Sequence, residues 1–156
     1  NNATICSYPF HGWMSGVPGT LGLVELDRLF ATVNADKAIA LPTGVGSYLY
    51  IRRACLEQIG PFDAERFGRG YGEENDYSLR ARAAGFRVRL CDDLFVAHAG
   101  SASFGESNAP GEIAGNAAMG RLHPTYHDDV QRFIRENPLA AAERHGIRLP
   151  MREGAD

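Results

Sequence analysis

Long apolar runs, an excess of one charge and a cysteine framework are all missing from this 156-residue chain. No apolar stretch approaches the ~18 residues that a membrane-spanning helix needs, and no positively charged, apolar-cored leader is present, so the chain reads as soluble. Lys and Arg number 16 against 19 Asp and Glu, a formal net charge of -3. The arginines at 52, 53, 66, 69, 80, 82, 87 and 89 are interleaved with acids, which leaves no electrostatic footprint for a nucleic-acid partner. Cys6, Cys55 and Cys91 are odd in number and share no metal-ligand spacing. They are expected to be small buried residues, reduced in a cytoplasmic compartment. No repeat or low-complexity tract occurs. What is present, 44% hydrophobic and 22% charged residues, suits one globular domain with a core. The opening "NNATICSYPF" has no strand or helix period and is expected to lie in mid-domain.

Apolar residues at 24, 26, 29, 30 and 33 predict an amphipathic helix over 24–33. "TGVGSYLYIRR" passes from a glycine turn into a β-rich run, which predicts a strand over 47–51, then a helix over 53–59 stopped by Gly60. "PFDAERFGRGYG" reads as an ordered loop held by Phe62, Phe67 and Tyr71. A helix over about 73–84 follows, with Gly85 as its left-handed cap. Strands are predicted at 86–91 and 94–97 across the Asp92-Asp93 turn. The Ser, Gly, Asn and Pro of 101–115 read as a mobile loop. A helix over about 125–136, ended before Pro138, and a second short one over Leu139–His145 complete the pattern. The fold class is therefore α/β, a short mixed sheet flanked by helices.

The stretch "GRGYGEENDYSLRARAAG" concentrates the chemistry. Glu73, Glu74 and Asp76 open a helix just behind a glycine loop. The helix dipole and unpaired amides favour acids there by about 0.3–1 kcal/mol each, and Asp76 stands one turn before Arg80, the spacing of an ion pair. Crowded like charges, however, repel unless a cation or a proton enters, and crowding with burial raises a carboxyl toward the working pH of a general base. Glu73 faces Tyr77 and Glu74 faces Ser78, about 100° apart on the helix, so one acid can face a cleft while another caps or binds an arginine. His98 ends an apolar run before a flexible segment, where sites in α/β sheets lie and where imidazole could ligate a metal. His123 and His127 stand at i and i+4 without the Glu of an H-E-x-x-H motif, which sets a zinc hydrolase aside.

"NNATICSYP", "LPTGVGSYLYIRRACLEQIGPFDAERFGRGYGEENDYSLRARAAGFR", "DDLFVAHAGSASFG" and "LHPTYHDDVQRFIRENPL" follow one another in an order that resembles the second half of inverting glycosyltransferases of family 2, of the GT-A fold. The resemblance covers residues 1 to about 140. It implies a partial, Rossmann-like GT-A domain from a bacterial enzyme of polysaccharide biosynthesis, with a nucleotide-sugar donor and a glycan acceptor. By the same resemblance Glu73-Glu74 is the acidic pair of the family. Its second member is the base, and Glu stands where Asp is usual. The catalytic acids are then Glu74 as base, Glu73 in support and Asp76 as a structural charge on Arg80. Thr43, Gly44, Tyr71 and Gly72 become substrate-binding candidates, and His98 a ligand of Mg²⁺ or Mn²⁺.

The family also carries a nucleotide-binding half and an Asp-x-Asp metal motif upstream of "NNATICSYP", and this sequence has no Asp-x-Asp. The expectation is thus an acceptor-side half of a larger enzyme, inactive alone, cytoplasmic or peripheral at the inner membrane face, with a sheet edge open to homo-oligomer formation. The alternative is a non-catalytic glycan-binding or assembly module that uses the aromatics Phe62, Phe67, Tyr71 and Phe104.

Overall fold

The computed structural model describes residues 4–7, 21–68, 71–98 and 109–141. Elements run α1 (Leu23–Val33), β1 (Ala38–Ala40), α2 (Arg53–Ile59), α3 (Ala64–Phe67), α4 (Glu73–Ala83), β2 (Arg89–Cys91), α5 (Ala109–Leu122), α6 (Tyr126–Glu136) and α7 (Pro138–Ala141), after a 3-10 turn at Thr4–Cys6. The class is mixed α/β, and the two strands form a small antiparallel sheet. Its register follows from Leu41 N–H to Val88 O at 3.1 Å and Asp92 N–H to Lys37 O at 3.3 Å. The chain divides into two compact units, Asn1–Ile39 with Leu90–Gly100 and Ile134–Asp156, and Ala40–Arg89 with Ser101–Phe133. No described helix is long and apolar enough to cross a membrane.

In the first unit, Leu26 and Phe30 of α1 bury one face against Phe95, the two rings 5.1 Å apart, with Leu21, Leu29 and Val33 around them. The helix begins where Glu25 reaches back to accept from Gly22 N–H at 2.9 Å. It ends at Asn34, fully buried, whose N–H returns to Phe30 O and whose side-chain amide donates to Asp92 O at 3.1 Å. The contact of Phe95 explains why 94–97 is no strand. Its N–H donates at 2.9 Å to Asp27 Oδ1 of α1, so a helix side chain takes the bond that a ladder would have used.

The second unit is built on α4. Tyr77 and Ala81 pack on Cys55 of α2, joined by Ile51, Leu56, Ile59 and Phe86. The C-terminal end has the expected glycine cap: Gly85, at φ 89°, gives its N–H to Arg82 O, and Phe86 gives its own to Ala81 O, the two bonds of a Schellman motif. Gly60, at φ 77°, likewise stops α2. A further cluster joins Phe67 of α3 to Ala118 and Met119 of α5, with Leu79 and Tyr126 against it.

Besides the strand at 94–97, further expectations are corrected. Residues 47–51 form no strand, since the sheet pairs 38–40 with 89–91 and the run has no partner strand among the described residues; Leu49 turns in against Gly44 while Tyr48 and Tyr50 stand 68% and 87% exposed. The loop read over 101–115 is helical from Ala109; 101–108 lie outside the described residues. Its small residues serve close packing, with Gly115, Ala118 and Met119 buried at i, i+3 and i+4. The short helix placed at Leu139–His145 starts one residue earlier, at Pro138, and 142–145 lie outside the described residues. None of the cysteines is in a disulfide, and Cys6 and Cys55 are buried, but Cys91 is exposed.

Candidate functional site

The first turn of α4 brings the three acids into different surroundings. Gly72, at φ 110°, swings the chain into the helix and accepts the first turn's Asp76 N–H at 2.8 Å. Asp76 turns inward: Oδ2 accepts from Arg80 Nε at 2.7 Å and Oδ1 accepts from His123 Nε2 at 2.9 Å. The rest of the Arg80 guanidinium is spent on carbonyls, those of Ile59 and Pro61, both at 3.0 Å. The ion pair anticipated from the i, i+4 spacing is therefore formed, on a carboxylate only 6% exposed.

Glu74 is half-buried and lies over Gly46, where a Cβ would come within 3.3 Å of its Cγ and 3.4 Å of its carboxyl carbon. Burial pushes its carboxyl above the usual glutamate range, and the charge of Glu73 adds to that push; amides at the start of α4 pull the other way. Glu73 holds a different orphan, a buried Oε2 with no hydrogen-bond partner among the described residues. Tyr126, at the start of α6, lies close enough to feel Glu74: burial first, then the Glu74 charge, push its phenol up to about 12.

Thr43 and Gly44 are buried beneath the same helix. Thr43 Oγ1 donates to Asn75 Oδ1 at 2.9 Å, Gly44 N–H donates to Ser78 Oγ at 2.9 Å, and Ser78 Oγ donates in turn to Glu74 O at 2.7 Å. A Cβ at Gly44 would sit 2.9 Å from Leu49 Cδ1, so this glycine is needed for close packing. Gly72 is likewise enclosed, with Phe67 and Met119 at 2.9 and 3.1 Å from where its Cβ would be. Tyr71, at φ 79°, leans its backbone on Gly115 of α5. The structure thus gathers Glu73, Glu74, Asp76, Thr43, Gly44, Tyr71 and Gly72 in one unit, with the glycines as packing contacts. His98 belongs to the other unit.

Of the aromatics considered for glycan binding, Phe67 is core, Phe62 stacks on Tyr77 at 4.7 Å, Tyr71 stays 36% exposed, and Phe104 lies outside the described residues. Among the described residues no group of three or more His, Cys, Asp and Glu side chains is arranged to hold a metal ion. The buried Glu73 Oε2 is one hard oxygen donor and does not make a cation site by itself.

Tyr126, Asn75 and Gly46 were not among the site candidates from the sequence; Ser78 was named only as facing Glu74, and His123 only in the i, i+4 pair set aside as a zinc site. Asn75 and Ser78 had a signal, since they share the helix turn with the acids. His123 and Tyr126 had none, because only the tertiary fold carries them to α4. No family model matches the chain, and no curated protein and no solved structure matches it either.

Proposed function

We propose that this chain is the acceptor-side half of an inverting glycosyltransferase, moving a sugar from a nucleotide-sugar donor to a glycan acceptor with Glu74 as general base. One observation carries the reading: the neighbouring acid Asp76 is committed to Arg80 and His123, while Glu74 sits half-buried beside Gly46 with its proton affinity raised by burial. A carboxylate with that raised affinity is a better base than a solvated one.

In the proposed reaction Glu74 takes the proton of an acceptor hydroxyl. The acceptor oxygen forms a bond to the anomeric carbon as the bond from that carbon to the nucleoside diphosphate breaks, and the electron pair leaves with the diphosphate. Attack from the face opposite the leaving group inverts the centre, through an oxocarbenium-like state akin to that of glycoside hydrolysis. Glu73 supports the charge balance of the site, and the Thr43–Gly46 segment, fastened to α4 through Asn75 and Ser78, fixes the floor beneath Glu74. Mg²⁺ or Mn²⁺ in the full-length enzyme would neutralise charge on the departing diphosphate. The described residues do not by themselves form that site.

The test joins the chain to an upstream nucleotide-binding half and assays transfer. Glu74→Gln should lower kcat by about 10²–10⁴-fold with acceptor binding retained. Transfer unchanged in Glu74→Gln would refute the base assignment. If the wild-type enzyme binds glycan and shows no transfer at all, the binding-module reading takes its place.

A further inference from the structure

The turn joining α5 to α6 is fastened to the first turn of α4, and the fastening has a direction. His123 Nε2 meets Asp76 Oδ1 at 2.9 Å, and because a carboxylate only accepts, this nitrogen carries the proton. Asp76 cannot swing away, since its other oxygen is held by Arg80, itself anchored on Ile59 O and Pro61 O. On the backbone, His123 N–H closes on Met119 O at 2.8 Å and His123 O accepts Tyr126 N–H at 3.0 Å. Fixing His123 therefore fixes Tyr126, the first residue of α6. The Tyr126 ring rests on the Phe67–Ala118–Met119 cluster, and Phe67 and Met119 also press on Gly72, two residues before Glu74.

We propose that His123 is a positioning residue of the Glu74 site: its bond to Asp76 clasps the α5–α6 turn to α4, and with it the Tyr126 ring on the Phe67–Met119 cluster that backs Gly72 and the helix turn carrying Glu74. The purpose given to the clasp rests on the reading of Glu74 as base; the clasp itself is tested without turnover. The upward push on Tyr126 from burial and from the Glu74 charge fits this placement. The titratable groups that face Tyr126 are Glu74 of α4, whose charge acts on it, His123 of the turn, whose carbonyl takes its N–H, and His127 of α6, whose ring meets that of Tyr126 edge-on at 5.0 Å.

The experiment titrates the 156-residue chain, reading tyrosinate absorbance with Tyr126→Phe subtracted and the Glu74 carboxyl by NMR with Glu74→Gln for assignment. In His123→Ala, Tyr126 should fall from about 12 toward the ordinary value of 10.0, and Glu74 should return to the ordinary glutamate range as water reaches it. His123→Gln, whose amide still donates to Asp76, should restore both. A folded His123→Ala in which both groups titrate as in the parent chain would overturn the clasp. If His123→Ala does not fold, His123→Gln decides, and loss of both titrations in that variant overturns it. Normal transfer by Glu74→Gln alongside the expected titrations would sink the base assignment and leave the clasp standing.

Discussion

Gly115→Ala sets two effects of opposite sign against each other. In a helix interior, replacing Gly by Ala gains about 1 kcal/mol from reduced backbone entropy in the unfolded chain and better propensity. At this position, however, α5 lies against the backbone of Tyr71: a Cβ would fall inside the van der Waals envelope of the Tyr71 carbonyl oxygen and 2.9 Å from its carbonyl carbon. Backbone atoms cannot rotate aside as a side-chain end can, so α5 must move off, pulling Met119 from Phe67 and Gly72. Overpacking of that kind costs about 1–3 kcal/mol and exceeds the helical gain. Gly120 on the same helix has nothing within 4 Å of its would-be Cβ, so Gly120→Ala keeps the gain alone. Urea unfolding followed by far-UV circular dichroism should give a lower midpoint for Gly115→Ala and a higher one for Gly120→Ala, about 1 M apart for slopes of about 1–2 kcal/mol/M. Equal midpoints would mean that α5 does not approach Tyr71 and that the packing behind the acidic turn is wrongly drawn.

Two further outcomes follow from the acids. Asp76→Asn should destabilise the chain by about 2–3 kcal/mol in the same urea assay, because Arg80 and His123 lose a buried charge partner, the lower figure reflecting that Arg80 is 29% exposed. Glu74→Gln should stabilise it, by an amount that grows with pH. The folded state holds the Glu74 proton more tightly than the unfolded chain, so wild-type stability falls as pH rises past the ordinary value of 4.5 and levels off above the folded value. Unfolding at pH 4 and pH 7 checks this; a gain equal at both pH values would contradict a raised Glu74.

The helices were legible because their signals are local. The apolar spacing of α1, the Gly60 and Gly85 stops and the Asp76–Arg80 pair each depend on residues a turn or two apart, and the structure has all of them. The strands were not legible, since a strand exists only where a partner meets it. "SYLYI" has β-prone composition, yet its neighbours are Gly44 and solvent, while the plain "AIA" of 38–40 finds Arg89–Cys91 across the sheet. The start of α5 was hidden for a related reason: its Gly and Ala, which suggest a loop when read alone, are the residues that let a helix lie close to backbone and to Phe67. At the proposed site, the cluster of three acids stands out from its spacing, and the resemblance alone singles out Glu74 among them. Its companions could not be named, because His123 lies 47 positions beyond Asp76 and the pairing is set by how α5 packs on α3 and α4.

Crowded acids at a helix start are tolerable only if something offsets their repulsion, either a cation or a bound proton. This helix treats two of its acids differently. The turn of the α-helix sends Asp76 inward to Arg80 and His123, a position in which its charge is matched and its oxygens are occupied. It sends Glu74 over Gly46, where burial and the charge of Glu73 raise its hold on a proton. If all three acids had cation partners, none would be a useful base; if none had, the first turn of α4 would carry repulsion that the helix dipole could offset by only about 0.3–1 kcal/mol per acid. Asp76 is thus matched by Arg80 and His123, while Glu74 is the acid of this turn whose hold on a proton burial raises, the property that its proposed role as base calls on.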